Sequence, residues 1–229
     1  PGGAKGIGRH YVTALAAEGA AVMIADVADG RDLAEELAAK HGRNATDSMV
    51  FDVSDESQVK ALVGATVERF GKIDILVNNA GCNVRKPAQE ISWDDWNKVL
   101  DTNLRGTFFV AQAIGRHMIA RKYGRIINIG SVTSVMGYAG LGPYCASRGG
   151  VKQMTMSLAD DWGSFGVTVN CLAPGWFRTE QNKVLYENAK WVEYICDRIP
   201  LKRPGKPNDL DHYEGRYASA DTYISALRN

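Results

Sequence analysis

Two groups of residues in this chain have the types and spacing to do chemistry. The first is Gly2-Gly3-Ala4-Lys5-Gly6-Ile7-Gly8, which opens a helix-period segment. Glycines let backbone N–H groups approach a pyrophosphate at the positive end of a helix. Eighteen residues after Gly8, Asp26 directly follows the apolar run Ala21-Val22-Met23-Ile24-Ala25. Glycine loop, helix, buried strand and terminal acid, in that order, spell a dinucleotide site with the acid on the adenosine ribose. A carboxylate accepts hydrogen bonds from ribose hydroxyls and repels a 2′-phosphate, which favours NAD over NADP. Lys5 and Arg31 offset part of that repulsion.

The second group is Ser131, Tyr144 and Arg148. Ser131 follows the apolar run that ends at Ile129. Tyr144 opens a helical segment, and Arg148 lies one turn along on the same face. A phenol is a poor base at neutral pH, but a fixed cation beside it and an oxidised nicotinamide both favour the phenolate. A serine hydroxyl can then hold a substrate oxygen while the tyrosine moves the proton. Among further residues, Asn83, Arg85, Trp176 and Arg178 are candidates to line a substrate pocket. Arg85 or Arg178 would suit a carboxylate by a bidentate contact, although a solvated surface arginine is an equal reading of each.

Taken together, these residues resemble the short-chain dehydrogenases/reductases over roughly residues 2 to 210. The glycine run resembles the family's cofactor loop, with contacts from Gly2, Lys5, Gly6, Ile7 and Gly8. Asp52-Val53 is similar to its adenine-contacting pair. Asn78-Asn79-Ala80-Gly81 is similar to the motif that supports the sheet and lies along the cofactor. The resemblance implies that Asn103 holds a proton-relay water, and that Ser131 and Tyr144 are catalytic. It implies that Arg148 stands in for a lysine touching the nicotinamide ribose. It further implies that Pro174, Gly175, Phe177 and Thr179 cradle the nicotinamide amide. Within the family, the segments Tyr144-Cys145-Ala146-Ser147-Arg148 and Pro174-Gly175-Trp176-Phe177 are similar to those of sugar and sugar-acid dehydrogenases such as gluconate 5-dehydrogenase. A 3-oxoacyl thioester reductase using NADPH, and a dinucleotide-binding protein without turnover, remain open as alternatives.

Three departures from the family pattern stand out. Arginine at 148 keeps the charge, but it is bulkier, planar and never deprotonated. That predicts reduced rather than abolished activity. Pro1 stands where the family has threonine. Asp211 to Tyr217 replaces an apolar helix face, and no closing strand follows. The family uses that strand in tetramer contacts, so a homo-oligomer is expected on weakened grounds.

The elements that must position these groups follow from periodicity. Beyond Ala21–Ala25, apolar runs at Met49–Phe51, Ile73–Val77, Arg125–Ile129 and Val167–Leu172 read as strands. Helix-period segments lie at Gly6–Glu18, Asp32–Lys40, Ser57–Phe70, Thr107–Arg121 and Tyr144–Phe165, and Ser92 with Asp95 reads as a capping box. In the first of these segments, Ile7, Tyr11, Ala14 and Leu15 share one stripe. In the helix opened by Ser92, Trp96, Val99 and Leu100 share one face. Strands alternating with helices demand crossovers, hence a Rossmann-like α/β fold: a doubly wound parallel sheet in a three-layer sandwich. The strand that should deliver Gly2 would precede residue 1, so the sheet is expected to lack its first strand as well as its last. Without that strand its two neighbours either keep unpaired edges or re-pair. The segment 176–207 reads as a substrate lid.

The 229 residues are 45% hydrophobic and 23% charged, which suits one folded domain over 1–229. Lys+Arg 27 against Asp+Glu 26 leaves +1, so no basic stripe points to nucleic acid and no polybasic run to a membrane. No run reaches the ~20 apolar residues of a membrane helix. The four scattered cysteines and the Pro1-Gly2-Gly3 opening, with no leader pattern, read as a cytoplasmic protein with free thiols. Four scattered histidines give no metal-ligand spacing. The expected partner is a small-molecule substrate.

Overall fold

The computed structural model describes residues 1–42, 45–179, 182–206 and 209–210. Among the described residues five parallel strands alternate with helices. The first half runs α1 (Gly6–Ala17), β1 (Val22–Asp26), α2 (Arg31–His41), β2 (Thr46–Val50), α3 (Glu56–Phe70) and β3 (Ile75–Asn78). The second half runs α4 (Trp93–Leu100), α5 (Thr107–Ala120), β4 (Gly124–Ile129), α6 (Gly142–Gly163), β5 (Val167–Leu172) and α7 (Ala189–Arg198).

Local chemistry sets most of the boundaries. Asp55 caps α3 by accepting from the amides of Ser57 and Gln58, and Gly71 ends that helix at φ +79°, a backbone that favours glycine. Ser92 and Asp95 cap α4 reciprocally, as their spacing predicts. Helix α1 buries Tyr11, Val12 and Ala16. Ile7, Ala14 and Leu15 of the expected stripe are only half-buried. On α4, Val99 is buried, whereas Trp96 is exposed.

Strand β4 is buried at all six positions, the signature of a central strand covered on both faces. It pairs in parallel with β3 (Ile75 opposite Arg125) and with β5 (Gly124 opposite Val167). Strand β1 pairs separately with β2 (Val22 opposite Thr46). The sheet therefore comes in two pieces, β2-β1 and β3-β4-β5. The facing edges of β1 and β3 do not re-pair. They border a cavity of about 410 Å³ lined by Val22, Met23, Ile75, Val77, Leu15 and Leu62, among others. At one end Pro1 and Gly2 span the seam: Gly2 N–H donates to Ala25 O at 2.7 Å, and Asn79 N–H donates to Pro1 O at 3.1 Å.

Some elements differ from the periodicity reading. Strand β2 starts at Thr46, opposite Val22, and stops before Phe51, whose amide still donates to Asp26 O at 2.8 Å while its ring enters the core at 1% exposure. Ile73 and Asp74 precede β3, and Ile73 N–H bonds His117 Nε2 instead of a strand. Helix α6 begins at Gly142 with Pro143 in its first turn, not at Tyr144; proline is pre-set for that position. A π-helical turn, Asp101–Gly106, joins α4 to α5 without a break. The sequence from Asp211 onward, where the closing strand was sought, lies outside the described residues, as does Pro207 at the end of the lid segment. Among the described residues no helix is long and apolar enough to cross a membrane.

Candidate active site

The loop before α1 is shaped by two close approaches. Gly2 sits at φ +76° with its Cα against the Ala80 backbone, and a Cβ on Gly8 would overlap the Gly2 carbonyl oxygen. Gly6, at φ +55°, has nothing within 4 Å of where a side chain would stand. The first turn of α1 carries no side-chain cap, so its N–H groups are presented to an anion. Lys5 is exposed beside them, and Ile7 packs inward on the cluster holding Ile127 and Ile129. Asn79 clamps the loop, its Nδ2 donating to Gly2 O at 2.7 Å.

Asp26 closes β1, and its carboxylate faces this loop. It accepts from Ala4 N at 3.0 Å and Ala28 N at 2.9 Å. The Asp52 carboxylate instead turns onto its own loop, accepting from the Ser54 amide and hydroxyl. Val53 is core, packed against Gly106 of the π turn. Loop, Asp26 and the Asn79-Ala80-Gly81 run lie together at the carboxyl ends of the strands, where open parallel sheets take ligands. The bare cradle at Gly6 fits a dinucleotide pyrophosphate.

Ser131 follows β4 and is buried. Its Oγ accepts from Thr133 N at 3.1 Å, which leaves its own proton free to donate. Tyr144 is half-buried in the first turn of α6. Arg148, one turn on, is 5% exposed, with its guanidinium carbon 5.2 Å from the centre of the Tyr144 ring. One arm of the guanidinium donates to Ile129 O at 2.6 Å, another lies against Gly81, and Nε is buried without a partner. The sequence reading made Arg148 a cation beside the phenol. The structure stacks it against the ring and ties it to the end of β4.

Asn103 sits in the π turn at 0% exposure. Its side chain bonds both backbone groups of Cys82 and donates to Ser147 Oγ at 3.1 Å, and Ser147 in turn donates to Tyr144 O at 2.8 Å. A π turn inside a helix often marks a functional position. Pro174 O accepts from Val132 N at 2.9 Å, and Gly175 is exposed with open space around it. The Phe177 ring is buried with Tyr11 and Leu172. Thr179 bonds Asn182 through its amide and hydroxyl.

An aromatic group stands beside these residues. Trp176 packs edge-on to Tyr138 and Trp191, Trp191 packs edge-on to Tyr186, and Trp191 Nε1 donates to the Tyr138 hydroxyl at 2.7 Å. It joins the loop after Ser131 to the 176–207 segment. Arg85 lies 5.5 Å over the Tyr138 ring, and Asn83 Oδ1 is buried without a partner. Burial, followed by the neighbouring Cys196, pushes the Tyr186 phenol up, while Arg178 pulls the other way.

Sequence reasoning missed Tyr138, Ser147, Asn128 and Thr155. The last two continue a buried chain in which Asn78 Nδ2 donates to Asn128 Oδ1 and Asn128 Nδ2 donates to Thr155 Oγ1, each at 3.0 Å. A polar residue inside the apolar run at Asn128 was the one available signal.

Comparison with known proteins agrees with this geometry. The short chain dehydrogenase family model matches residues 1–190. Gluconate 5-dehydrogenase of Gluconobacter oxydans is 40% identical over 213 residues, spanning 91% of this chain and 82% of that protein. The 3-oxoacyl-[acyl-carrier-protein] reductase FabG of Thermotoga maritima is 36% identical over 211 residues, spanning 91% and 84%. A crystal structure of a gluconate 5-dehydrogenase from Burkholderia cenocepacia in complex with NADP and tartrate superposes with TM-score 0.91 at 40% identity, covering 96% of this chain and 86% of that one. The chain belongs to the short chain dehydrogenase family and is an NAD(P)-dependent oxidoreductase acting on CH–OH groups.

Proposed function

We propose that this enzyme interconverts a secondary alcohol and a ketone on a sugar acid of the gluconate type. The observation that carries the reading is the tie between the two hydroxyl-bearing elements. Arg148, one turn from Tyr144, bonds Ile129 O, two residues before Ser131. Ser131, loaded as an acceptor by Thr133 N, donates its proton to the substrate oxygen and orients it. Tyr144 takes the proton from the alcohol in oxidation and returns it to the ketone oxygen in reduction. When bound, a nicotinamide accepts or supplies the hydride at the substrate carbon. Asn103 positions the base of α6 through Ser147 and holds the relay water. Trp176 and Tyr138 present apolar ring faces to a sugar, and Arg85 offers a guanidinium to its carboxylate.

Glycine loop, Asn79-Ala80-Gly81 and Pro174 to Thr179 are proposed to hold the dinucleotide. Asp26, facing the loop, supports NAD by repelling a 2′-phosphate. The NADP bound in the Burkholderia relative's crystal supports the second reading. The exposed Trp93, Trp96 and Phe109 on α4 and α5 support assembly with further copies of the chain.

A panel of gluconate, 5-ketogluconate and 3-oxoacyl thioesters with each dinucleotide tests the proposal. Turnover of the sugar acid, lost by about a hundredfold or more in Tyr144→Phe, is expected. Preference for thioesters, or full turnover in Tyr144→Phe, overturns it.

A further inference from the structure

The loop that carries Ser131 is tied to α6 by a side chain with no role in the site so far. Ser134 closes the 3₁₀ turn after Ser131, and its hydroxyl faces two ways at once. It accepts from Ser131 N at 3.1 Å and donates to Arg148 O at 2.8 Å. Two further anchors, Gly130 N to Leu172 O and Val132 N to Pro174 O, run to β5 and the segment after it and not to α6. Gly130 makes the arrangement possible, since a side chain there would stand 3.0 Å from Ser134 Oγ. With the guanidinium of the same Arg148 on Ile129 O, residue 148 is bonded to the loop on both flanks of Ser131.

We propose that Ser134 is a positioning residue that sets the separation of the Ser131 and Tyr144 hydroxyls. This rests on the catalytic reading of that pair. One hydroxyl joins the amide of the residue that orients the substrate to the carbonyl one turn beyond the residue that moves its proton. Losing it frees the loop to drift, and a misplacement of about 1 Å costs on the order of a hundredfold in rate.

The test is a double-mutant cycle on the full chain, with 5-ketogluconate and reduced dinucleotide as probes. Ser134→Ala is expected to lower kcat at least tenfold, with KM and dinucleotide Kd by tryptophan fluorescence near the parent values; the Ser131 amide it leaves unpaired lowers Tm as well, so kcat is read at a temperature where every variant is folded. In a Ser131→Ala background it is expected to cost nothing more, because there is no hydroxyl left to place. The isosteric pair Ser134→Thr and Ser134→Val differs by that one hydroxyl. The threonine variant should keep parent kcat and the valine variant should not, which carries the comparison if the alanine variant does not fold. An unchanged kcat in Ser134→Ala or Ser134→Val, with Ser131→Ala impaired, overturns the positioning role alone. So does a loss that multiplies in the double variant. Full turnover in Ser131→Ala overturns the catalytic reading and this inference with it.

Discussion

Asn103 and Cys82 share a pair of hydrogen bonds that mimics a strand ladder. Asn103 Oδ1 accepts from Cys82 N at 2.8 Å, and its Nδ2 donates to Cys82 O at 2.9 Å. A carboxylate keeps the acceptor and loses the donor, so Asn103→Asp sets a charge against a buried carbonyl. The expected loss is about 1–3 kcal/mol of stability, read as a lower denaturant midpoint, with turnover falling as well. An unchanged midpoint would remove the clasp from the account.

The Asn78–Asn128–Thr155 chain lies in the core, and its last acceptor is a threonine hydroxyl. Thr155→Val conserves shape and strands the Asn128 Nδ2. Urea unfolding should register a loss of about 1–3 kcal/mol, with dinucleotide binding intact, because the chain lies beneath the sheet's carboxyl edge rather than in the cradle.

Two glycines should respond in opposite directions to alanine. At Gly8 a methyl overlaps the Gly2 carbonyl, so Gly8→Ala should destabilise by about 1–3 kcal/mol and weaken dinucleotide binding at least tenfold. At Gly64, inside α3 with open space around it, alanine should stabilise by about 0.5–1 kcal/mol. Isothermal titration and denaturant curves on both variants decide.

The Lys86 ammonium beside Asp95, together with the Ser92 amide, holds the Asp95 carboxyl down at about 2. A folded value below the ordinary one contributes stability above the unfolded pKa, and that stability is lost as pH falls toward 2. The Tm gap between the parent and Asp95→Asn should therefore be constant from pH 7 to about 4 and close below it. A gap that persists to pH 2 would mean that the capping geometry, not the charge, is what counts.

Much of the architecture was legible in residue order because it is local. Alternating apolar runs and helix-period segments set the α/β class, Ser92 and Asp95 announced their cap, and the glycines announced a tight turn before α1 that faces Asp26. The strand limits slipped at Ile73, whose amide bonds His117 Nε2 in place of a strand, and at Phe51, which ends the ladder with a single bond to Asp26 O. Whether the edges of β1 and β3 would close up was open. In the folded chain they stay apart, with Pro1 and Gly2 bonded across the seam at one end and a cavity between them beyond it.

Residue types and spacing alone point to the chemistry: a glycine run suited to phosphates, a serine after an apolar run, and a phenol with a cation one turn along. Folding is what aims that cation at Ile129 O and the Tyr144 ring and bonds Ser134 to Arg148 O and Ser147 to Asn103. The hydrogen bonds among these contacts join residues 14 to 44 positions apart. Hydrophobic period and motif spacing act along the chain, whereas a hydrogen bond forms only after packing has brought its two ends within about 3 Å.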